Sequence, residues 1–293
     1  MRPVKDLLFE EYWNIAYRNF TDDDSVVNAP DKKAEFKLLK ANKRFWYADP
    51  FLFEKDGKAY LFVEMFDNVT EVGSIGCSEY TDGKFTEPKE VLRESFHLSY
   101  PYVFENDGKI FMMPETHEDN CIQLYEAVEF PVKWKKSKVI VNNVNAADTV
   151  TENGLFISAL VCEENDMSVD LCIFDADGNE MPYSPVCSRS LDKRGAGRCF
   201  SHKGVRVRPA QSCENGVYGG KVIFNKIIQC DEDGYIEEKM SEITPENVSV
   251  PQSGEPCGIH TYARTDKIEI VDIKFKRTNV RRLFWIVKKK LGI

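Results

Sequence analysis

Residues 48–64 read ADPFLFEKDGKAYLFVE, an aromatic-rich run, an Asp-Gly pair and a second apolar run. Asp-Gly readily takes the positive φ angles of a two-residue type I′ turn, so the flanking runs are read as the paired strands of a hairpin. The same design returns at SYPYVFENDGKIFMMPE (99–115), ADTVTENGLFISALV (147–161), GRCFSHKGVRVRPAQ (197–211) and GIHTYARTDKIEIVD (258–272). The turn pairs Asp56-Gly57, Asp107-Gly108, Asn153-Gly154, Lys203-Gly204 and Thr265-Asp266 begin 51, 46, 50 and 62 residues apart. That period suits a four-stranded blade, and five copies predict an all-β, five-bladed β-propeller.

Stretches between the hairpins, SIGCSEY, CIQLYEA, DLCIFDA and KVIFNKII, supply outer strands. A propeller must also close its ring. The run from Trp13 to Arg18 reads as the strand that completes the last blade and removes two exposed sheet edges; a short N-terminal helix around Leu7, Leu8 and Trp13 is the alternative. The expected organisation is one propeller over 1–275 and a basic amphipathic tail over 276–293.

Composition narrows the class. With 42% hydrophobic residues in 293, the chain can bury a large core as one domain. It has no apolar run long enough to span a bilayer and no leader pattern, and its nine cysteines are scattered without a CxxC pair, so a cytoplasmic protein with reduced cysteines is expected. No zinc spacing links them to the four histidines.

Residues 274–293 carry eight Lys or Arg and no acid, leaving 31 basic against 48 acidic side chains elsewhere. An acidic body argues against a nucleic-acid groove. In the tail Val280, Leu283, Phe284, Val287 and Leu291 recur at helical spacing. A short helix there could lie on the anionic inner face of a membrane with Trp285 at the interface, or pack on the propeller or a partner.

Inner strands of a propeller start beside the axis, and their hairpin partners end there. Seven residues past the turn glycine stand Glu64, Glu115 and Gln211, with Asp272 in the corresponding place of the last blade. Six to eight residues before it stand Asp49, Tyr100, Asp148 and Arg198, with His260 in the last blade. Clustered carboxylates raise one another's pKa, so function is one reason to keep them; the other is that each caps its own turn or pairs with Arg194, Arg198, Arg206 or Arg208. Phe45, Trp46, Tyr47, Tyr100 and Tyr102 could wall a sugar site or fill the core. His260 is a candidate ligand for a central divalent cation, a partner for a substrate hydroxyl, or a core hydrogen-bonding group. His97, His117 and His202 are placed at the surface or in hairpins, and Trp134 in the core.

These stretches, with LYEAVEFPVKW (124–134), RGAGRCF (194–200), RPAQSCENGVYGG (208–220) and GIHTY (258–262), resemble the family built around the N-terminal domain of plant glucosamine inositolphosphorylceramide transferase. The resemblance covers residues 45–262. That family is similar in turn to the five-bladed arabinanase, levansucrase and invertase glycosidases, where two aspartates and a glutamate surround the sugar. Asp49 is matched to the first aspartate and Asp148 to the second. The fourth blade offers Arg198, Arg208 and Gln211 where the acid is wanted, so Glu115 of the second blade is put in that role.

The resemblance implies a carbohydrate-active protein of glycan biosynthesis that binds a sugar or nucleotide sugar in the central pocket, and three functions stay open. In a glycosyltransferase, Asp49 or Glu115 deprotonates the acceptor hydroxyl while Arg198 and Arg208 hold a donor phosphate. In a glycoside hydrolase two carboxylates flank the anomeric carbon. In a non-catalytic module the propeller positions sugar for a partner glycosyltransferase. In each, Glu64, Tyr100, Tyr102, Gln211 and His260 are the expected binding residues.

Overall fold

The computed structural model describes residues 9–29, 33–41, 44–161, 169–186, 192–212, 218–251 and 253–278. They form the five expected blades. The first comprises Phe45–Lys55, Lys58–Asp67 and Val72–Thr81, with Lys84–Phe85 and Lys89–Leu92 on the outer strand. Ser99–Asn106, Lys109–Glu115, Cys121–Glu129 and Lys133–Asn142 make the second. The third pairs Ala146–Glu152, Leu155–Val161 and Val169–Phe174. In the fourth, Arg194–Gly195 and Phe200–His202 lie along Val205–Ser212, followed by Lys221–Asp231 and Gly234–Ile243.

The last blade joins the two ends of the described chain. Gly258–Arg264 and Ile268–Thr278 are followed in the sheet by Phe9–Asn19, which pairs with the latter from Phe9↔Thr278 to Asn19↔Ile268, and by Lys37–Leu38. The N-terminal segment is therefore the strand that closes the ring. Ile268–Thr278 is strand throughout, so residues 276–278 of the expected helical tail belong to the sheet, and its remainder, 279–293, lies outside the described residues.

Four of the five turn pairs carry positive φ at both residues, from Asp56 (50°) and Gly57 (75°) to Lys203 (47°) and Gly204 (79°). This is the backbone that Asp-Gly and Asn-Gly favour. The fifth turn differs: Thr265 accepts the Lys267 and Ile268 N–H groups on Oγ1, and its own N–H bonds Ile268 O at 2.9 Å. A hydroxyl-stabilised turn replaces the missing glycine.

The hydrophobic cores lie between blades. Phe51, Phe62, Tyr100, Val103 and Tyr125 are buried among the first three, and Phe224, Tyr262, Val271 and Ile273 between the fourth and fifth. Burying each such side chain stabilises the fold by roughly 1.5–3 kcal/mol. Trp134 packs with Phe62 and Phe130 in the first cluster, as expected of a core residue.

A bulge interrupts every inner strand where it meets the axis. From Ala48↔Glu64 to Phe51↔Phe62 the inner strand advances three residues and its partner two, and the second, third and fifth blades repeat this. From Gly195↔Ala210 to Phe200↔Val207 the fourth blade advances five against three. Its bulge is one residue wider. Asp49, Tyr100 and Asp148 occupy the bulges of the first three blades with φ of 50°, 48° and 54°, a conformation that is costly for side chains other than glycine.

Candidate functional site: the axial cavity

A bulge frees backbone N–H groups from the ladder, and near the axis there is no neighbouring strand to accept them. Side chains do so instead. Asp272 Oδ2 accepts the Asp49 N–H at 3.0 Å, and its Oδ1 accepts those of His260 and Thr261 at 3.1 and 2.8 Å. Asp49 Oδ2 in turn accepts the Tyr100 N–H at 3.1 Å, and Glu115 Oε2 that of Asp148 at 3.3 Å. In the fourth blade the Gly197 N–H bonds the Tyr100 hydroxyl at 2.7 Å. The acidic side chains at the axis thus bind the blades to one another, which accounts in full for Asp272, wholly buried beneath the cavity.

Above this layer lies a cavity of about 540 Å³ lined by Asp49, Glu64, Glu115, Asp148, Arg194 and His260, with His97, Ser99, His117, Trp13, Trp46, Phe66 and Tyr218 around them and Ala147 and Val161 in the wall. The volume lies within the range of small-molecule sites. Trp46 stacks on Phe66 at 4.4 Å and Trp13 on His260 at 4.0 Å, giving flat apolar walls beside the charged floor.

The carboxylates are held in unlike states. Burial pushes Asp49 up to about 8, the charge of His260 opposing and the charges of Glu64, Asp272 and Asp148 reinforcing it. Burial also pushes Glu115 upward, but the hydrogen bond from His117 Nδ1 at 2.9 Å and the guanidinium of Arg194 outweigh it, so its net shift is downward. Asp148 is raised by burial against the pull of Arg194, whose Nε lies 2.7 Å from Oδ2. A buried guanidinium that cannot give up its own charge keeps that pair ionic.

His260 sits between two aspartates. Burial lowers it, but Asp272 and Asp49 raise it further. Its Nδ1 is 2.6 Å from Asp272 Oδ2, a charge contact without hydrogen-bond alignment, and its Nε2 is 3.5 Å from Asp49 Oδ1. These three residues are the group that could hold the cation expected near His260, their ligand atoms lying within 4.8 Å of one another. Asp272 already spends its oxygens on three backbone N–H groups, so the set suits a shared proton better than a divalent ion.

Of the residues expected at the site, Asp49, Glu64, Glu115, Asp148, His260 and Trp46 meet in the cavity, and the others do not. Arg208 is buried within the fourth blade in a bidentate pair with Glu237 at 2.7 and 2.8 Å. Arg198 donates to Val103 O, its guanidinium 4.9 Å from the Tyr102 ring. Tyr102 bonds Thr151, Tyr100 lies in the bulge layer, and Gln211 reaches Gly195 O. The wider fourth-blade bulge explains the arginines: counting back from Gly204 reaches Arg198, but the residue paired with Gln211 is Arg194. Its neighbour Gly195 admits Tyr100 and Asp148, since a Cβ there would lie 2.6 Å from the Tyr100 hydroxyl.

His97 and His117, expected at the surface, instead reach the cavity. His97 Nε2 is 3.2 Å from Glu64 Oε1, while its Nδ1 accepts the Gly73 N–H at 3.0 Å. Burial lowers its pKa but Glu64 more than restores it; the Gly73 bond favours the neutral tautomer with its proton on Nε2.

Residues 34–249 match the family described as glucosamine inositolphosphorylceramide transferase 1, N-terminal. The chain belongs to this family. Over 203 residues it is 32% identical to glucosamine inositolphosphorylceramide transferase 1 of Arabidopsis thaliana and 33% identical to that of Oryza sativa subsp. japonica, each alignment covering 65% of this chain. The match spans only 26% and 27% of those relatives, about a quarter of their length. Among solved structures, a thermostable family-43 glycoside hydrolase aligns with a TM-score of 0.47 and 14% identity over 72% of this chain and 78% of its own. The family match takes in Asp49, Glu64, Glu115, Asp148 and Arg194, while Trp13, His260 and Asp272 of the closing blade lie outside it.

The state of Asp49 has a measurable signature. A carboxyl whose folded pKa is raised binds its proton more tightly in the folded protein, so its contribution to stability is largest below the unfolded value of 3.8 and is lost as pH rises to about 8. Asp49→Asn removes that loss. The unfolding free energy of the variant minus that of the wild type should therefore climb from pH 4 to pH 8 and level off above, with a slope of at most about 1.4 kcal/mol per pH unit. A difference independent of pH would show that Asp49 is ionised throughout.

Proposed function

We propose that the axial cavity is the sugar-processing site of a glycan-biosynthesis protein, with Glu115 as general base and Asp49 as general acid. The observation that carries this reading is the pair of unlike carboxylates in one cavity, Asp49 pushed toward its protonated form and Glu115 held ionised. Environments that drive two carboxyl groups apart assign the acid and the base. In the reaction Glu115 takes the proton of an acceptor hydroxyl, whose oxygen bonds the anomeric carbon. The bond from that carbon to the leaving oxygen breaks, and Asp49 gives that oxygen its proton. Trp46 and Phe66 supply a face for the sugar ring.

The polar groups of the cavity bear on the substrate class. Glu64, Glu115, Asp148 and the acid form of Asp49 line it together with Arg194, paired with Asp148, and the imidazoles of His97, His117 and His260, a mixed set whose carboxylate oxygens can accept from the amine of an amino sugar. The plant relatives are named for glucosamine and inositolphosphorylceramide, and a glucosamine amine fits such a cavity. A cytoplasmic location at a membrane face is part of the same proposal. With water as acceptor the same two groups would perform hydrolysis, and the products distinguish the two reactions.

The bulge-capping bonds of Asp49 and Glu115 favour a second reading, in which these acids hold the blades and the cavity only binds sugar beside a partner transferase. Titration calorimetry with glucosamine, N-acetylglucosamine and glucose glycosides tests the shared part of both. Glucosamine glycosides should bind at least about tenfold more tightly than the neutral ones, and Trp46→Ala should weaken all three. Equal affinity for the three sugars, or binding unaffected by Trp46→Ala, would contradict the cavity assignment.

A further inference from the structure

The polar residues at the axis on the second strand of each blade do not share one task. Glu115 accepts the Asp148 N–H from the bulge of the next blade, and Asp272 accepts that of Asp49. By the same relation Glu64 would cap the Tyr100 N–H, but Asp49 Oδ2 already accepts it at 3.1 Å. Glu64 is thereby released from holding the ring. It is nevertheless only 5% exposed, on the central strand Lys58–Asp67 between Ala48 and Ile75, and it lines the cavity.

The other acids of the cavity are paired. Arg194 meets Asp148 and reaches toward Glu115, which also meets His117, while Asp49 holds the Thr261 hydroxyl and the Tyr100 N–H. Among the described residues Glu64 meets one polar group, His97, through Oε1 at 3.2 Å, and its Oε2 has no hydrogen-bond partner. A carboxylate so deeply buried needs donors for both oxygens, and for Oε2 they come from the contents of the cavity.

His97 is placed to orient this acid. Its Nδ1 accepts the Gly73 N–H at 3.0 Å, which leaves the ring proton on Nε2, facing Glu64, and its own backbone N–H is fixed by Glu118 Oε2 at 3.2 Å. Gly73 makes room for the ring, since a Cβ there would lie 2.8 Å from His97 Cε1. In this tautomer the imidazole engages Oε1 without supplying a counter-charge, so Oε2 stays available to a cationic donor. Phe66 follows Glu64 by two residues on the cavity face, about 6.5–7 Å along the strand, and Trp46 stacks on it. A hexose lying on that wall spans the distance and brings one ring substituent to Glu64.

We propose that Glu64, positioned by His97, is the subsite that takes the ammonium group of an amino sugar and sets the preference for it over neutral sugars. It rests on the reading of the cavity as a sugar site and assigns the amine to one of the four acids there.

The test is titration calorimetry of the full chain with methyl glucosaminide and methyl glucoside, for wild type, Glu64→Gln, His97→Phe and His97→Gln. Glu64 caps no backbone group and glutamine keeps its shape, so Glu64→Gln should lower the affinity for the glucosaminide about tenfold or more and that for the glucoside by less than about threefold. His97→Phe should lose most of the preference. His97→Gln, whose amide can donate from the place of Nε2, should restore it, which a merely space-filling role for the ring would not produce. A preference that survives Glu64→Gln, or an equal loss for both glycosides, would overturn the subsite and leave the sugar site standing, and a His97→Gln variant no better than His97→Phe would overturn the positioning by His97. Equal affinity of the wild type for the two glycosides would overturn both the subsite and the reading beneath it. Glucoside affinity retained by each variant shows that a lost preference is not a lost fold.

Discussion

Asp272→Ala should destabilise the protein more than any other single change in the axial layer. The carboxylate accepts three backbone N–H groups, from Asp49, His260 and Thr261, in a site with no access to water. It also faces His260, whose pKa it raises. Alanine would leave those donors unpaired and a cation without its counter-charge, at a cost of about 3–5 kcal/mol. For a chain of this size that corresponds to a fall of roughly 5–8 °C in melting temperature. Asp272→Asn keeps an acceptor oxygen but loses the charge, so it should cost less and lower the pKa of His260. Urea and thermal melts check the first statement, and imidazole NMR titration the second. The Asp272 residue also ties the first blade to the closing blade, so Asp272→Ala should loosen the junction between the chain's two ends first. Faster amide exchange in Phe9–Asn19 than in the second blade would report this.

The same hydrogen bonds show how much the sequence reveals. The blade repeat was legible because turn chemistry is local: Asp-Gly and Asn-Gly state their φ angles without reference to the rest of the chain. The closing strand was legible because a ring leaves no other place for an isolated apolar strand. The convergence of Asp49, Glu64, Glu115, Asp148 and His260 followed from equivalent repeat positions. Arg194 could not be found by counting, since one extra residue in the fourth-blade bulge shifts the register between Gly195 and Phe200. Pairing Gln211 with the residue opposite it, instead of counting back from Gly204, would have found it. His97 and His117 come from the connection between blades and from the loop after Glu115, which obey no repeat. The backbone role of the carboxylates was also hidden, because a bulge and the donors it frees are consequences of the assembled ring.

That double role sets the terms for catalysis. Glu115 caps the Asp148 N–H with one oxygen and meets His117 with the other, so Glu115→Gln retains its shape and an acceptor for that backbone bond while removing the base. Removing a general base typically lowers turnover by about 10²–10⁴-fold. If Glu115 acts only after sugar is bound, kcat should bear the loss while affinity holds. Asp49→Asn should likewise slow the reaction by withholding the proton from the leaving oxygen, most for donors with poor leaving groups. Because Asp49 is pushed up to about 8, the wild-type rate should decline as pH passes that value, and the Asn variant should lack that limb.

The most direct test of the sugar-processing site is to supply glucosamine-bearing donors with sugar acceptors or water and to measure turnover and ligand affinity for wild type and Glu115→Gln on the same preparations. The account predicts turnover by the wild type, a loss of about 10²-fold or more in the variant, and affinities that agree within about threefold. Equal turnover by the two proteins, or tight sugar binding with no turnover by either, would contradict it and leave the propeller as a sugar-binding module whose axial acids serve only to hold the blades together.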